Sequence, residues 1–199
     1  MIRGKYMRIV CLGDSLTYGY GVKRASVWTA LASRAMTGYE IINKGISGDT
    51  AGGMLSRFDT DVAGNRADMA FVMGGSNDIF FSGSVPEAKS NMAALVFRSL
   101  HHGIRPIVGV PLPVYEPGLA KVWETYASGE AVKRRLEEYR KWLLQFGGSF
   151  GVPVVDFWEC VPADSDGLDA FYLDGIHPSE EGHGRMAALW AEHITKLTK

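Results

Sequence analysis

The chain has 199 residues, 46% of them apolar and 22% charged, and a formal net charge of -1 at pH 7. That length predicts one domain whose core needs neither disulfides nor a structural metal, and the neutral balance supplies no field that would draw nucleic acid or an anionic membrane. No stretch reaches the apolar length of a membrane span and the opening Met1-Ile2-Arg3-Gly4-Lys5-Tyr6 holds no apolar leader core, so the expected location is the cytoplasm, without stable membrane insertion.

Short β-branched runs alternate with longer amphipathic segments, which predicts an α/β fold with a parallel sheet covered by helices on both faces. The first strand is expected at Met7–Leu12 and runs straight into Gly13-Asp14-Ser15, so a hydroxyl stands where a buried strand ends. A helix over Ser26–Met36, a strand over Glu40–Asn43 and a helix over Ala51–Phe58 follow, then a strand over Met69–Met73 that leads into Gly74-Gly75-Ser76-Asn77-Asp78. The helix at Val85–His102 has the plainest signals: Ser84 and Glu87 form a capping box, Pro86 occupies the first turn, and Gly103 stops it.

After a strand at Arg105–Val110 comes an irregular region, Pro111–Ser128, broken by Pro113, Pro117 and Gly118 and carrying the aromatics Tyr115, Trp123 and Tyr126. Long ordered loops are often functional. A helix at Glu130–Phe146, a strand at Val152–Phe157 and a last helix at Ser179–Lys196 complete five βα units. Pro178 forces the preceding His177 towards extended geometry, so His177 is expected on a loop just outside the last helix, which Ser179 caps. Cys11 and Cys160 lie in or beside apolar runs and read as buried thiols rather than a disulfide.

Attack on an acyl carbon needs a hydroxyl made nucleophilic by a base, a group that orients the base, and donors aimed at the oxygen that becomes negative. Ser15 is the candidate nucleophile, although a lone serine after a strand is ordinarily a helix cap. His177 is the candidate base, because a free imidazole titrates near neutrality. Asp174, three residues earlier on the same loop, is close enough to fix its tautomer. Candidate oxyanion donors are the backbone N–H of Ser15, the backbone N–H of Gly45 in Asn43-Lys44-Gly45-Ile46-Ser47-Gly48, and the side-chain amide of Asn77. Each loop alone reads as a turn; four such loops after strands of one sheet make coincidence the weaker explanation.

The stretches GDSLTYGYG at Gly13–Gly21, NKGISGDT at Asn43–Thr50, GGSND at Gly74–Asp78 and DGIHP at Asp174–Pro178 resemble, in order, the four blocks of the SGNH or GDSL hydrolases. The resemblance spans the chain from first strand to last helix. It implies a flavodoxin-like three-layer α/β/α sandwich with a five-stranded parallel sheet, whose first and third strands flank the switch point. It also implies cofactor-free, metal-free hydrolysis of a small-molecule ester through an acyl-serine. By that resemblance Ser15, His177 and Asp174 form the triad and Gly45 and Asn77 complete the oxyanion hole; Asp14 and Asp49 match acids of the same blocks and, since the triad already has its acid, are expected to shape loops.

Other readings are weaker. The glycine loops lack the residue order of a phosphate-binding loop or a dinucleotide fold. His101 and His102 end a helix with no carboxylate or thiol cluster expected beside them, against a metal site. His183 is expected to face a loop, and His193 to sit on the surface or in the core. A binding module with a vestigial triad would not need both an oriented base and an oxyanion asparagine. For the substrate, Phe80, Phe81, Tyr115, Trp123 and Tyr126 are expected to line an apolar pocket for a short to medium acyl or an aryl ester, the loop aromatics Tyr115, Trp123 and Tyr126 having the alternative role of anchoring their own loop. A carbohydrate O-acetyl esterase and an acyl-thioesterase or lysophospholipase are the alternatives.

Overall fold

The computed structural model describes residues 6–124 and 128–199, so Tyr126 and residues 1–5 of the leader reading lie outside the described residues. Strands β1 (Met7–Gly13), β2 (Tyr39–Gly45), β3 (Met69–Met73), β4 (Arg105–Val110) and β5 (Val154–Asp156) form one sheet in the order β2-β1-β3-β4-β5, every pair parallel. The chain steps from β1 out to β2 and then returns past β1 to β3. That reversal opens a crevice at the carboxyl ends of β1 and β3, where ligands of doubly wound sheets bind.

Side-chain alternation along each strand sends residues to two separate cores. Val10, Leu12, Val72 and Val108 meet helices α3 (Ala51–Phe58), α5 (Val85–His101) and α7 (Gly129–Phe150) through Met54, Met92, Leu95 and Leu136. Ile9, Cys11, Phe71 and Ile107 meet α2 (Trp28–Ala35) and α9 (Glu180–Leu197) through Trp28, Met186 and Trp190. Burial on both faces is why the strands read as continuous apolar runs. The rings of Trp28, Phe71 and Trp190 pack edge-on or tilted with centroids 5.4–6.0 Å apart; each fully buried ring contributes about 2–3 kcal/mol.

The five long helices and five strands lie where expected, with shifts that have local causes. The seventh helix runs through Gly147-Gly148 to Phe150 instead of ending at Phe146, because Gly147 packs directly on Val154 and the stop is Gly151, whose φ of +64° closes the cap. That overrun and Pro153 shorten β5, whose last residue Asp156 turns its carboxylate back to cap Trp158 N at 3.1 Å. Four short helices carry too few residues to show a helical period: α1 (Ser15–Tyr18), α4 (Ser76–Ser82), α6 (Lys121–Glu124) and α8 (Ser165–Phe171).

Cys11 is buried and Cys160 half-buried, both free thiols, the latter donating to Phe157 O. His183 does not face a loop. It is buried in the first turn of α9, where its Nδ1 accepts the Trp28 N–H at 3.3 Å, and burial pushes its pKa down to about 4. His102 does have a carboxylate beside it: Asp59 Oδ1, 3.1 Å from Nε2, with Asp59 also paired to Arg98.

Candidate active site

Strand β1 ends at Gly13, and Asp14 accepts the Leu16 N–H with Oδ1 at 2.9 Å, capping the one-turn helix α1 that Ser15 begins. The turn lifts Ser15 Oγ into the crevice, 2.9 Å from His177 Nε2. His177 Nδ1 lies 2.9 Å from Asp174 Oδ2. The sequence-predicted Ser15, His177 and Asp174 are thus one hydrogen-bonded chain, with Ser15 8% and His177 4% exposed.

The loop holding Asp174 and His177 is fastened from several sides. Asp174 Oδ1 accepts Ile176 N at 3.1 Å and His177 N at 2.8 Å. Leu173 N donates to His177 O at 2.8 Å, and the long loop after β4 reaches across through Tyr115 N to Gly175 O (2.8 Å) and Ala120 N to Asp174 O (3.1 Å). Burial pushes the Asp174 carboxyl upward, but hydrogen bonds from the side chain and backbone of His177 and from Trp123 outweigh it and leave Asp174 well below the ordinary range. An ionised Asp174 only accepts, so Nδ1 carries the imidazole proton and Nε2 turns a lone pair to Ser15 Oγ.

Asn77, on α4, donates from Nδ2 to Asp49 O at 2.8 Å, which fixes the amide and leaves its second hydrogen for the cleft. The backbone N–H of Ser15 and that of Gly48 take no acceptor among the described residues, and both residues line the same cleft. Gly45 does not. Strand β2 continues two residues beyond the expected Asn43, so Gly45 sits in the sheet behind α1, where its N–H donates to Asn43 Oδ1 at 2.8 Å. Only glycine fits there, because a Cβ would lie 2.1 Å from Tyr18 N. In that loop it is Ser47 and Gly48 that line the cleft, and Gly48 has a φ of +81° that favours glycine.

Arg57 ties these loops together. Its guanidinium reaches Asp49 Oδ2 (2.8 Å), Asp61 Oδ2 (2.7 Å), Lys44 O (2.8 Å) and Gly13 O (3.0 Å), joining the end of β1, the end of β2 and the Gly48 loop. Asp49 thus helps to hold the loop, as expected of an acid the triad does not need. Asp14 is 1% exposed, and burial pushes its carboxyl up to about 7 against the opposing pull of the Leu16 N–H and His177.

The cleft encloses about 690 Å³, its open mouth included. Its apolar wall is Phe80, Leu112, Val114, Trp123, Leu136 and Ile176, with Phe81 half-exposed at the edge. Of the aromatics read from the sequence, Phe80, Phe81 and Trp123 border this cleft. Tyr115 is not in the cleft: its hydroxyl donates to Asp169 Oδ1 at 2.9 Å and its ring stacks on Tyr172, anchoring the loop. Leu112, Leu136 and Ile176 were invisible to sequence reasoning because they come from a loop, a helix and a second loop that only the tertiary fold brings together.

Residues 11–185 match the GDSL-like lipase/acylhydrolase family. The uncharacterized lipoprotein YqeF of Bacillus subtilis is 32% identical over 123 residues, 56% of this chain, and the chain spans about half (51%) of that protein's length. An acetylxylan esterase of Geobacillus stearothermophilus is 28% identical over 170 residues, 79% of this chain and 73% of that protein. The solved structure of Est24, a carbohydrate acetylesterase from Sinorhizobium meliloti, superposes with a TM-score of 0.80 over 96% of this chain and 99% of that one; at 22% identity the likeness is one of fold. Among the described residues no helix is long and apolar enough to cross a membrane.

Proposed function

We propose, from the premise that the chain belongs to the GDSL-like lipase/acylhydrolase family, that it hydrolyses carboxylic esters with short to medium acyl or aryl groups through an acyl-serine intermediate. The observation that carries this reading is the hydrogen-bonded run Asp174–His177–Ser15 opening onto an apolar cleft.

Ser15 Oγ attacks the acyl carbon while His177 Nε2 takes its proton. Asp174 holds the ring and stabilises the imidazolium. The tetrahedral oxyanion is received by the N–H groups of Ser15 and Gly48 and the second amide hydrogen of Asn77. His177 then hands its proton to the leaving alkoxide, and the acyl-serine remains. Water, deprotonated by His177, attacks that acyl carbon, and collapse of the second tetrahedral species returns the proton to Ser15 and releases the acid. An oxyanion donor in a dry, preorganised site typically contributes about 3–4 kcal/mol, which makes Asn77 and Gly48 catalytic elements beside the triad.

The apolar wall favours an acyl chain over a polar group. A carbohydrate O-acetyl esterase is the second reading, favoured by Tyr20, whose half-exposed ring lies 4.5 Å from His177 at the mouth and offers a face to a sugar ring. A panel of p-nitrophenyl esters of increasing acyl length, run beside an acetylated xylan and an acyl-thioester, separates these readings. Turnover greatest on short to medium acyl esters is expected. Turnover confined to the acetylated sugar overturns the acyl reading in favour of the second, and binding of every ester without turnover overturns hydrolysis.

A further inference from the structure

Asp174 Oδ2 is shared. Besides His177 Nδ1 it accepts the indole N–H of Trp123 at 3.0 Å, from a residue 51 positions away on α6. The backbone sets this contact up: Ala120 N donates to Asp174 O, and Trp123 N donates to Ala120 O at 2.9 Å, so the first turn of α6 is bonded to the very residue its indole addresses. The Trp123 ring lies 5.7 Å from the His177 ring, tilted, and meets Phe80 edge-on at 6.2 Å. One side chain therefore touches the triad's acid, its base and the wall of the acyl cleft. A phenylalanine would serve the wall alone.

We propose that Trp123 is a positioning residue that sets the basicity of His177 by drawing charge from the carboxylate oxygen of Asp174. The proposal rests on the reading of His177 as general base. A neutral N–H donor on the oxygen that faces Nδ1 spreads the carboxylate charge, so the imidazolium is stabilised less and the free base persists to lower pH. It also holds that oxygen in line with Nδ1, so the ring keeps the tautomer that leaves Nε2 free for Ser15. The remaining groups around His177 come from elements other than that of Trp123: Ser15 Oγ on Nε2, the Tyr20 ring, the buried Asp14 carboxyl from the turn after β1 and His183 from α9.

The sign follows. Without the indole N–H the Asp174 charge is concentrated towards Nδ1, the imidazolium is favoured, and the base form appears at higher pH. In Trp123→Phe the acid limb of kcat/KM for p-nitrophenyl acetate moves to higher pH by roughly half a unit, while KM stays close to wild type because the ring still closes the wall. Trp123→Ala loses both functions, so its KM also rises, and rises more for longer acyl groups.

The pH profiles of wild type and Trp123→Phe, measured side by side, test this. An unmoved acid limb in Trp123→Phe overturns the proposal. A wild-type profile with no imidazole ionisation at all overturns the reading of His177 as base instead, so the two failures are distinguishable. The unmutated protein gives a second measurement that a misfolded variant cannot spoil: the ¹H–¹⁵N resonance of the Trp123 indole is expected to shift through the same ionisation as His177. An indole resonance indifferent to that ionisation contradicts the coupling.

Discussion

Replacing Asp14 by asparagine removes a carboxyl that the fold holds against its nature. Asp14 is 1% exposed, its Oδ2 has no hydrogen-bond partner among the described residues, and burial pushes it from an ordinary 3.8 up to about 7. Between those values the unfolded chain has lost the proton and the folded chain keeps it, so each pH unit of rise costs about 1.4 kcal/mol of stability. The contribution is intact below about pH 4, falls through the acid range, and is fully lost above about 7, a total on the order of 4 kcal/mol. Asp14→Asn keeps the oxygen that caps Leu16 N and is neutral at every pH. Urea denaturation of both proteins at pH 5 and pH 8, followed by tryptophan fluorescence, reads this carboxyl together with the weaker coupling to His177, Asp49 and Asp78, because groups not coupled to it cancel in the comparison. The stability advantage of Asp14→Asn is expected to be larger at pH 8 than at pH 5 by about 3 kcal/mol. An advantage that does not change with pH would refute the reasoning, since it would mean that Asp14 ionises as freely in the fold as outside it.

Asn77→Ala is expected to lower kcat by about a hundredfold or more with the denaturation midpoint little changed, because the amide acts on the transition state; near-normal kcat would remove Asn77 from the oxyanion hole. Gly45→Ala and Gly48→Ala should part company. The Cβ at Gly45 would meet Tyr18 N at 2.1 Å and is expected to lower the melting temperature sharply, whereas the Cβ at Gly48 points into open space and strains only a φ of +81°, so its main effect is a loss of turnover of roughly tenfold or more as the amide tips away. The reverse pattern, in circular dichroism melts and ester kinetics, would restore Gly45 to the site.

Much of the fold was legible because the punctuation was local. Ser84 caps α5 by accepting Glu87 N at 3.2 Å, as the serine-to-glutamate spacing with Pro86 between them predicts. The pairing of Asp174 with His177 was equally local, three residues on one loop, and Ser15 was marked by the strand it follows. Choosing between Gly45 and Gly48 was not local, since it depends on how far β2 runs beside β1: the register continues to Gly13 opposite Gly45, which draws that glycine into the sheet. The part of the cleft wall made by Leu112, Leu136 and Ile176 was illegible for the same reason, and Trp123 read as a pocket aromatic on an irregular loop with nothing to tie it to Asp174. Its bond to Asp174 depends on how that loop is sewn to another one fifty residues away.

Reaction with a fluorophosphonate probe is the most direct test of the central claim, that Ser15 is a nucleophile activated by His177. Mass spectrometry of the wild-type protein is expected to find the phosphonyl adduct on Ser15 alone, with Ser15→Ala unlabelled and His177→Ala labelled slower by several orders of magnitude. A folded wild-type protein that takes no label, or takes it on a residue other than Ser15, would contradict the account.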